Sequence, residues 1–200
     1  MMRQRKEKTV LFLCTGNYYR SRFAEMLFNS VAGKMGLPWR ASSRGLALER
    51  GVNNVGPMAV AAVKALETRG LGAAADFARF PIQVTVDDLD IANWIVALKQ
   101  AEHLPLLQER FPAWAEKVEY WQVDDAPEAL AQIEREVMKL VAWLIGGGRR
   151  REAPIPEIIG EAVDPEVKKE FIKTSAPVVR LGRETKGRRG KGDGIGKQGS

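Results

Sequence analysis

The feature that most constrains the fold of this chain is an apolar run, residues 10–13, that leads through a glycine-containing loop into a helix. The run is short and turn residues follow it, which predicts a buried strand over Thr9–Cys14. Apolar residues then recur at helical spacing and predict a helix over Ser21–Val31. A strand that is apolar on both faces and continues into a helix is typical of a parallel sheet covered by helices.

The same alternation of strand and helix patterns continues toward the C-terminus. Apolar runs predict three more strands, at Trp39–Ser43, Trp94–Leu98 and Val118–Val123. Helical patterns follow at Pro57–Thr68, at His103–Arg110 and in a last helix, which Asp125 can cap and Gly146 ends. We therefore predict an α/β domain with a parallel sheet.

The charge of the chain is concentrated at its C-terminal end. The net charge is +6, and residues 149–200 hold 13 Lys and Arg against 8 Asp and Glu, so this segment carries +5 of it. We predict a folded domain over residues 1–148 and a basic tail over 149–200 that is partly or wholly disordered. No base-reading motif accompanies the basic residues of this segment, so we expect a solvated tail and no nucleic-acid partner.

The counts of cysteine and histidine exclude several kinds of chemistry. Cys14 is the single cysteine, so the chain has no internal disulfide, and zinc sites with several Cys or His ligands are excluded. No apolar run is long enough to span a membrane, so we expect a cytoplasmic protein without membrane contact. The single histidine, His103, is interpreted as a surface or capping residue, and the acidic residues 87–90 as a solvated turn and helix cap.

The stretch from Cys14 to Ser21 carries the chemistry. A loop that opens a helix directs several backbone N–H groups into one concavity, and the helix dipole favours an anion there. Thr15, Gly16, Asn17, Tyr18, Tyr19 and Ser21 would line this loop. A cysteine in such a field favours the thiolate, and the planar fork of Arg20 can hold two oxygens of a phosphate. Ser21 can donate a hydrogen bond to the sulfur.

The residues Val10-Leu11-Phe12-Leu13-Cys14-Thr15-Gly16-Asn17, followed by Arg20-Ser21, resemble the signature of low-molecular-weight protein tyrosine phosphatases and of the related thioredoxin-coupled arsenate reductases. The resemblance runs from about residue 8 to about residue 145, and Ser43 lies in a segment similar to the family's Ser-Ala-Gly. It implies a three-layer sandwich with a four-stranded parallel sheet. It also implies Cys14 as nucleophile, Arg20 as phosphate clamp, and no cofactor or metal.

The resemblance places a general acid at the end of the fourth strand, where this chain has Asp124 and Asp125. Such an acid protonates the leaving oxygen and later takes a proton from water. The comparison with arsenate reductases favours Asp125, although Ala126 separates it from Pro127. Asp124 is the alternative acid, and both residues are also suited to capping a helix.

Several positions depart from the family pattern. Tyr19 stands where many members have a second cysteine, and Ala126-Pro127 replaces the aromatic residues that help to hold a phosphotyrosine ring. Tyr18 and Tyr19 are candidates to line the mouth of the site instead. Near the position of the histidine that braces the loop asparagine, the chain has Asp76.

Three functions are consistent with these residues. The first is hydrolysis of phosphomonoesters, as in a protein tyrosine phosphatase, through a phosphocysteine. The second is arsenate reduction with an external thiol, and the third is binding of a phospho-ligand without catalysis. The expected partner is a phosphorylated protein or a small phosphomonoester, and the chain is expected to be a monomer or a weak homodimer.

Overall fold

The computed structural model describes residues 7–71, 77–124 and 128–146. In this part the chain forms four strands, β1 (Lys8–Cys14), β2 (Trp39–Gly45), β3 (Trp94–Ala97) and β4 (Glu119–Tyr120). The α-helices of the described residues are α1 (Arg20–Lys34), α2 (Val60–Glu67), α3 (Val86–Ile91), α4 (Gln100–Arg110) and α5 (Ala129–Ile145). Two 3₁₀ helices lie at Leu48–Gly51 and Pro112–Trp114.

The four strands form one parallel sheet in the order β2-β1-β3-β4. Strand β1 lies in the middle, and its side chains alternate between two apolar cores. Val10 and Phe12 pack with α1, α2 and α5, whereas Leu11 and Leu13 pack with α3 and α4 on the other face. The sheet is therefore the central layer of a three-layer sandwich, and the predicted fold class is confirmed.

Some element boundaries differ from the prediction. Strand β4 has only two residues, and helix α4 begins at Gln100, three residues earlier than expected. Asp87, Asp88 and Asp90 lie in helix α3 and not in a turn. The predicted helix cap is confirmed for Asp88, whose side chain forms a capping box with Thr85 at the start of α3. Asp76, Asp125 and the predicted tail over residues 149–200 lie outside the described residues.

The lengths and hydropathies of the described helices show whether any of them could span a membrane. Among the residues that the structure describes, no helix is long and apolar enough to cross a bilayer.

Candidate active site

The candidate site lies at the carboxyl edge of the sheet, between β1 and β3. Strand β1 ends at Cys14, the loop 15–19 follows, and α1 begins at Arg20. The strand order reverses direction here, because β2 lies on one side of β1 and β3 on the other. In open parallel sheets this switch point is where the loops separate and leave a crevice for a ligand.

Cys14 is buried at the base of the loop and shares a hydrogen bond with Ser21. The Cys14 Sγ and Ser21 Oγ atoms are 2.9 Å apart, and the thiol is 3 % exposed. The Ser21 oxygen also accepts a hydrogen bond of 3.0 Å from Asn17 Nδ2. Either atom can be the donor in the contact between Cys14 and Ser21, and Ser21 donates when the sulfur is a thiolate.

Asn17 organises the loop from its centre. Its side chain is fully buried, and its backbone has a φ of 47°, a left-handed conformation that asparagine tolerates better than most residues. The Asn17 amide donates to Ser21 and to Ser43, at 3.0 and 2.9 Å, and its oxygen accepts from the Ile82 N–H at 3.0 Å. Each polar atom of this side chain is therefore used to hold the loop.

A partly buried ion pair lies behind Asn17. Ser43 accepts from Arg79 Nη2 at 3.1 Å and donates to Glu25 Oε2 at 2.5 Å, while Arg79 Nη2 also donates to Glu25 at 2.6 Å. Arg79 therefore supports Asn17 indirectly, through Ser43. Because a guanidinium stays protonated at all working pH values, this brace keeps its charge.

On the opposite side of the loop, Glu102 binds Arg20. The Glu102 carboxylate accepts one hydrogen bond of 2.8 Å from each terminal nitrogen of Arg20, and it also accepts one from the Thr15 hydroxyl. Burial alone would raise the pKa of Glu102, but hydrogen bonds from His103, Arg20 and Thr15 hold it well below the usual range. The carboxylate is therefore ionised whenever the loop is folded at neutral pH.

His103 lies directly behind Glu102 and is fully buried. Its Nδ1 accepts the Lys99 backbone N–H at 2.9 Å, so Nε2 carries the proton of the neutral ring and lies 3.5 Å from Glu102 Oε1. Burial lowers the pKa of His103, and the nearby carboxylate of Glu102 only partly opposes this. His103 is thus the capping residue that the sequence indicated, but it is not on the surface.

The loop after Cys14 faces the segment 50–55, which forms the wall of the site, and the two enclose an open pocket of about 260 Å³. The residues that line it are Cys14, Thr15, Gly16, Tyr18, Tyr19, Arg20, Arg50, Gly51, Asn54 and Glu102. The Tyr18 hydroxyl donates to the Val55 carbonyl at 2.6 Å and so joins the loop to the wall. A Cβ on Gly16 would lie 3.2 Å from the Asn54 amide, and one on Gly51 only 2.6 Å from it, so both glycines allow the wall to close on the loop.

The two candidate acids have different positions. Asp125 lies outside the described residues. Asp124 follows β4, its side chain is 57 % exposed, and its carboxylate pairs with the Lys99 ammonium. Asp124 is not among the residues that line the pocket, and its backbone N–H donates to Gln132 at 3.1 Å.

Glu102 and Arg79 hold the loop but were not predicted from the sequence, and neither were the pocket residues Arg50, Gly51 and Asn54. Glu102 lies in the first turn of α4, and every loop that follows a strand of a parallel sheet ends at the same edge as Cys14. Its position just after β3 and before the single histidine was the available signal. Arg79 lies in a segment without periodicity, and no pattern in the sequence pointed to it.

A buried thiol and an arginine on one loop at the start of a helix define a cysteine-based oxyanion site. Residues 9–143 match the family described as low molecular weight phosphotyrosine protein phosphatase. The chain belongs to this family, and it is accordingly a phosphatase. No curated protein sequence matches the chain.

Several solved structures share this fold. A low molecular weight protein tyrosine phosphatase from T. tengcongensis is 26 % identical with a TM-score of 0.56, covering 70 % of this chain and 99 % of that one. YfkJ from Bacillus subtilis is 23 % identical with a TM-score of 0.58, covering 73 % and 99 %. The YwlE arginine phosphatase from Geobacillus stearothermophilus is 23 % identical with a TM-score of 0.54, covering 70 % and 94 %.

Proposed function

We propose that the chain hydrolyses phosphomonoesters through a phosphocysteine, with Cys14 as nucleophile, and that phosphotyrosine in proteins is its main substrate class. The observation that carries the proposal is the hydrogen bond of 2.9 Å between Cys14 and Ser21 at the base of a loop whose arginine lines the same pocket. A thiolate there faces an anion held by backbone N–H groups and by Arg20.

In the first step, the Cys14 thiolate attacks phosphorus in line with the ester oxygen. The sulfur–phosphorus bond forms as the oxygen–phosphorus bond breaks, and the leaving oxygen takes a proton from Asp125. Arg20 and the loop amides stabilise the charge on the three remaining oxygens. Asp125 is preferred to Asp124 because the Asp124 carboxylate is engaged by Lys99 and lies away from the pocket lining.

In the second step, water attacks the phosphocysteine and Asp125 accepts a proton from it. Inorganic phosphate leaves, and the thiolate that forms again receives the hydroxyl proton of Ser21 as a hydrogen bond. Thr15, Gly16, Tyr18 and Tyr19 line the route by which substrate enters. A mechanism with one cysteine suits a reducing compartment, so we place the activity in the cytoplasm.

Hydrolysis of p-nitrophenyl phosphate tests the reaction. We expect turnover by the wild type and none by Cys14→Ser, because a serine hydroxyl is not ionised at neutral pH. Arg20→Lys should retain the charge but lose the bidentate fork, and should be much slower. Turnover by Cys14→Ser at the wild-type rate would contradict the proposal.

A substrate panel tests the specificity. Phosphotyrosine peptides, phosphoserine peptides, phosphoarginine and sugar phosphates should be compared by kcat/KM in the wild type and in Cys14→Ser. Phosphoarginine belongs in the panel because solved arginine phosphatases share this fold. A higher kcat/KM for phosphoarginine than for phosphotyrosine peptides would overturn the substrate assignment, since a phosphorus–nitrogen bond would then be the one that breaks, but it would leave the phosphocysteine intermediate unchanged.

A further inference from the structure

The carboxylate of Glu102 has no part in the reaction proposed above, yet it lies inside the pocket and binds the phosphate clamp. We propose that Glu102 is a positioning residue, which fixes the guanidinium of Arg20 in the orientation that binds the transferring phosphoryl group. This inference rests on the proposed function of Arg20 and adds a residue to it.

The geometry of the pair is that of an orienting contact. Two parallel hydrogen bonds of 2.8 Å join Nη1 and Nη2 of Arg20 to the two oxygens of Glu102. Such a bidentate pair fixes the plane of the guanidinium as well as its place. Arg20 is 5 % exposed, so its long side chain has few other ways to arrange its charge.

Glu102 is itself held from several directions. It lies in the first turn of α4, the Thr15 hydroxyl donates to it, and the buried ring of His103 lies behind it at 3.5 Å. Thr15 belongs to the same loop as Cys14, so the carboxylate joins α4 to the loop as well as to the clamp. A side chain anchored in this way is a fixed part of the site, and it does not have to move when substrate binds.

The carboxylate also leaves room for phosphate. The pocket of about 260 Å³ is open with Glu102 in place, and Glu102 is one of its lining residues. A guanidinium carries five N–H groups, and the two terminal nitrogens each give one of them to Glu102. Arg20 itself lines the pocket beside Glu102, so the pair and a bound phosphoryl group would share one cavity.

Substitutions of Glu102 in the full-length chain test the proposal, with p-nitrophenyl phosphate as substrate. We expect Glu102→Ala to lower kcat about 10- to 100-fold, since a small misplacement of a catalytic group has effects of this size. Glu102→Gln keeps one oxygen acceptor and should fall between the wild type and the alanine variant. Glu109→Gln, which removes an exposed carboxylate of the same helix, should match the wild type.

A double-mutant cycle separates positioning from a general structural role. If Glu102 acts through Arg20, then Glu102→Ala should cause no further loss of kcat in an Arg20→Ala background. An equal loss in both backgrounds would overturn the inference. So would a Glu102→Ala variant with unchanged kcat, a lower KM and tighter inhibition by inorganic phosphate, because that result would make the carboxylate a competitor of the substrate.

Binding of inorganic phosphate tests the positioning role of Glu102 independently of the proposed reaction. Phosphate should raise the melting temperature of the wild type and of Glu109→Gln, and it should do so much less for Glu102→Ala and Arg20→Ala. Equal stabilisation of the Glu102→Ala variant and the wild type would refute the positioning role, whether or not the protein turns over a phosphomonoester. Loss of turnover in Cys14→Ser together with wild-type kinetics in Glu102→Ala would refute it while leaving the reaction intact.

Discussion

Substitution of Asn17 tests how strongly the network behind the catalytic loop holds the site. Asn17→Ala removes three buried hydrogen bonds, those with Ser21, Ser43 and the Ile82 N–H. Each contributes about 1 kcal/mol net, and an alanine at a φ of 47° adds about 1 kcal/mol of backbone strain. We expect a total loss of about 4 kcal/mol in the free energy of unfolding, a large share of a typical stability of about 5–15 kcal/mol.

Urea unfolding and steady-state kinetics measure the two consequences. Asn17→Gly loses the same hydrogen bonds but tolerates the left-handed backbone, so it should be about 1 kcal/mol more stable than Asn17→Ala. Both variants should lose kcat for p-nitrophenyl phosphate by about 10- to 100-fold, because Ser21 and the loop lose their common partner.

Asn29 provides the matched control. Its side chain makes two hydrogen bonds with the Ala41 backbone, at 2.7 and 3.0 Å, and ties α1 to β2. Asn29→Ala should therefore lose about 2 kcal/mol of stability while kcat changes less than about twofold. The proposed role of Asn17 in holding the catalytic loop is refuted if Asn17→Ala keeps the wild-type kcat, or if Asn29→Ala loses as much activity as Asn17→Ala.

The remaining predictions concern the brace, the sulfur and the buried histidine. Arg79→Ala should lower the free energy of unfolding by about 2 kcal/mol and kcat about tenfold, because Glu25 loses its cationic partner. Arg79→Lys keeps that charge and should keep most of the stability and of kcat. Equal urea midpoints for the two variants would contradict this prediction. Ser21→Ala should slow dephosphorylation more than phosphorylation, visible as a larger burst of p-nitrophenol, because the departing thiolate loses its hydrogen-bond donor; a smaller burst with unchanged kcat would contradict it. Burial holds the pKa of His103 below its usual value, so the unfolded chain takes up a proton first and stability should fall as the pH drops below about 6.5. His103→Asn should unfold in urea with a weaker dependence on pH between about 5.5 and 7.5, and an unchanged dependence would show that other groups cause it.

The sequence was sufficient to predict the central part of the fold. Strand β1, the loop after Cys14 and helix α1 have strong local signals, because a short apolar run, turn residues and helical spacing follow one another directly. The strands at Trp39 and Trp94 were found for the same reason. Strand β4 was predicted too long, since the apolar residues up to Val123 are buried although only Glu119–Tyr120 pair as a strand.

The contacts that complete the site depend on tertiary structure. Glu102 reaches Arg20 across 82 positions, and Arg79 reaches Glu25 across 54. No local sequence pattern indicates which loops of a parallel sheet lie next to each other. These side chains are brought together by the strand order β2-β1-β3-β4. The acidic residues before β3 were assigned to a turn and helix cap from their charge alone. The cap is present, but the capping box of Thr85 and Asp88 starts a short helix where a turn was predicted.

Detection of a phosphocysteine is the decisive test of Cys14 as the nucleophile. p-Nitrophenol is a good leaving group that needs little protonation, so Asp125→Ala should form the intermediate from p-nitrophenyl phosphate but hydrolyse it slowly. Rapid denaturation at alkaline pH during turnover, where the sulfur–phosphorus bond is stable, followed by peptide mass spectrometry, should then find one phosphoryl group on the peptide that contains Cys14. The account is contradicted if that peptide stays unmodified while phosphate is released, or if the phosphoryl group is found on another residue.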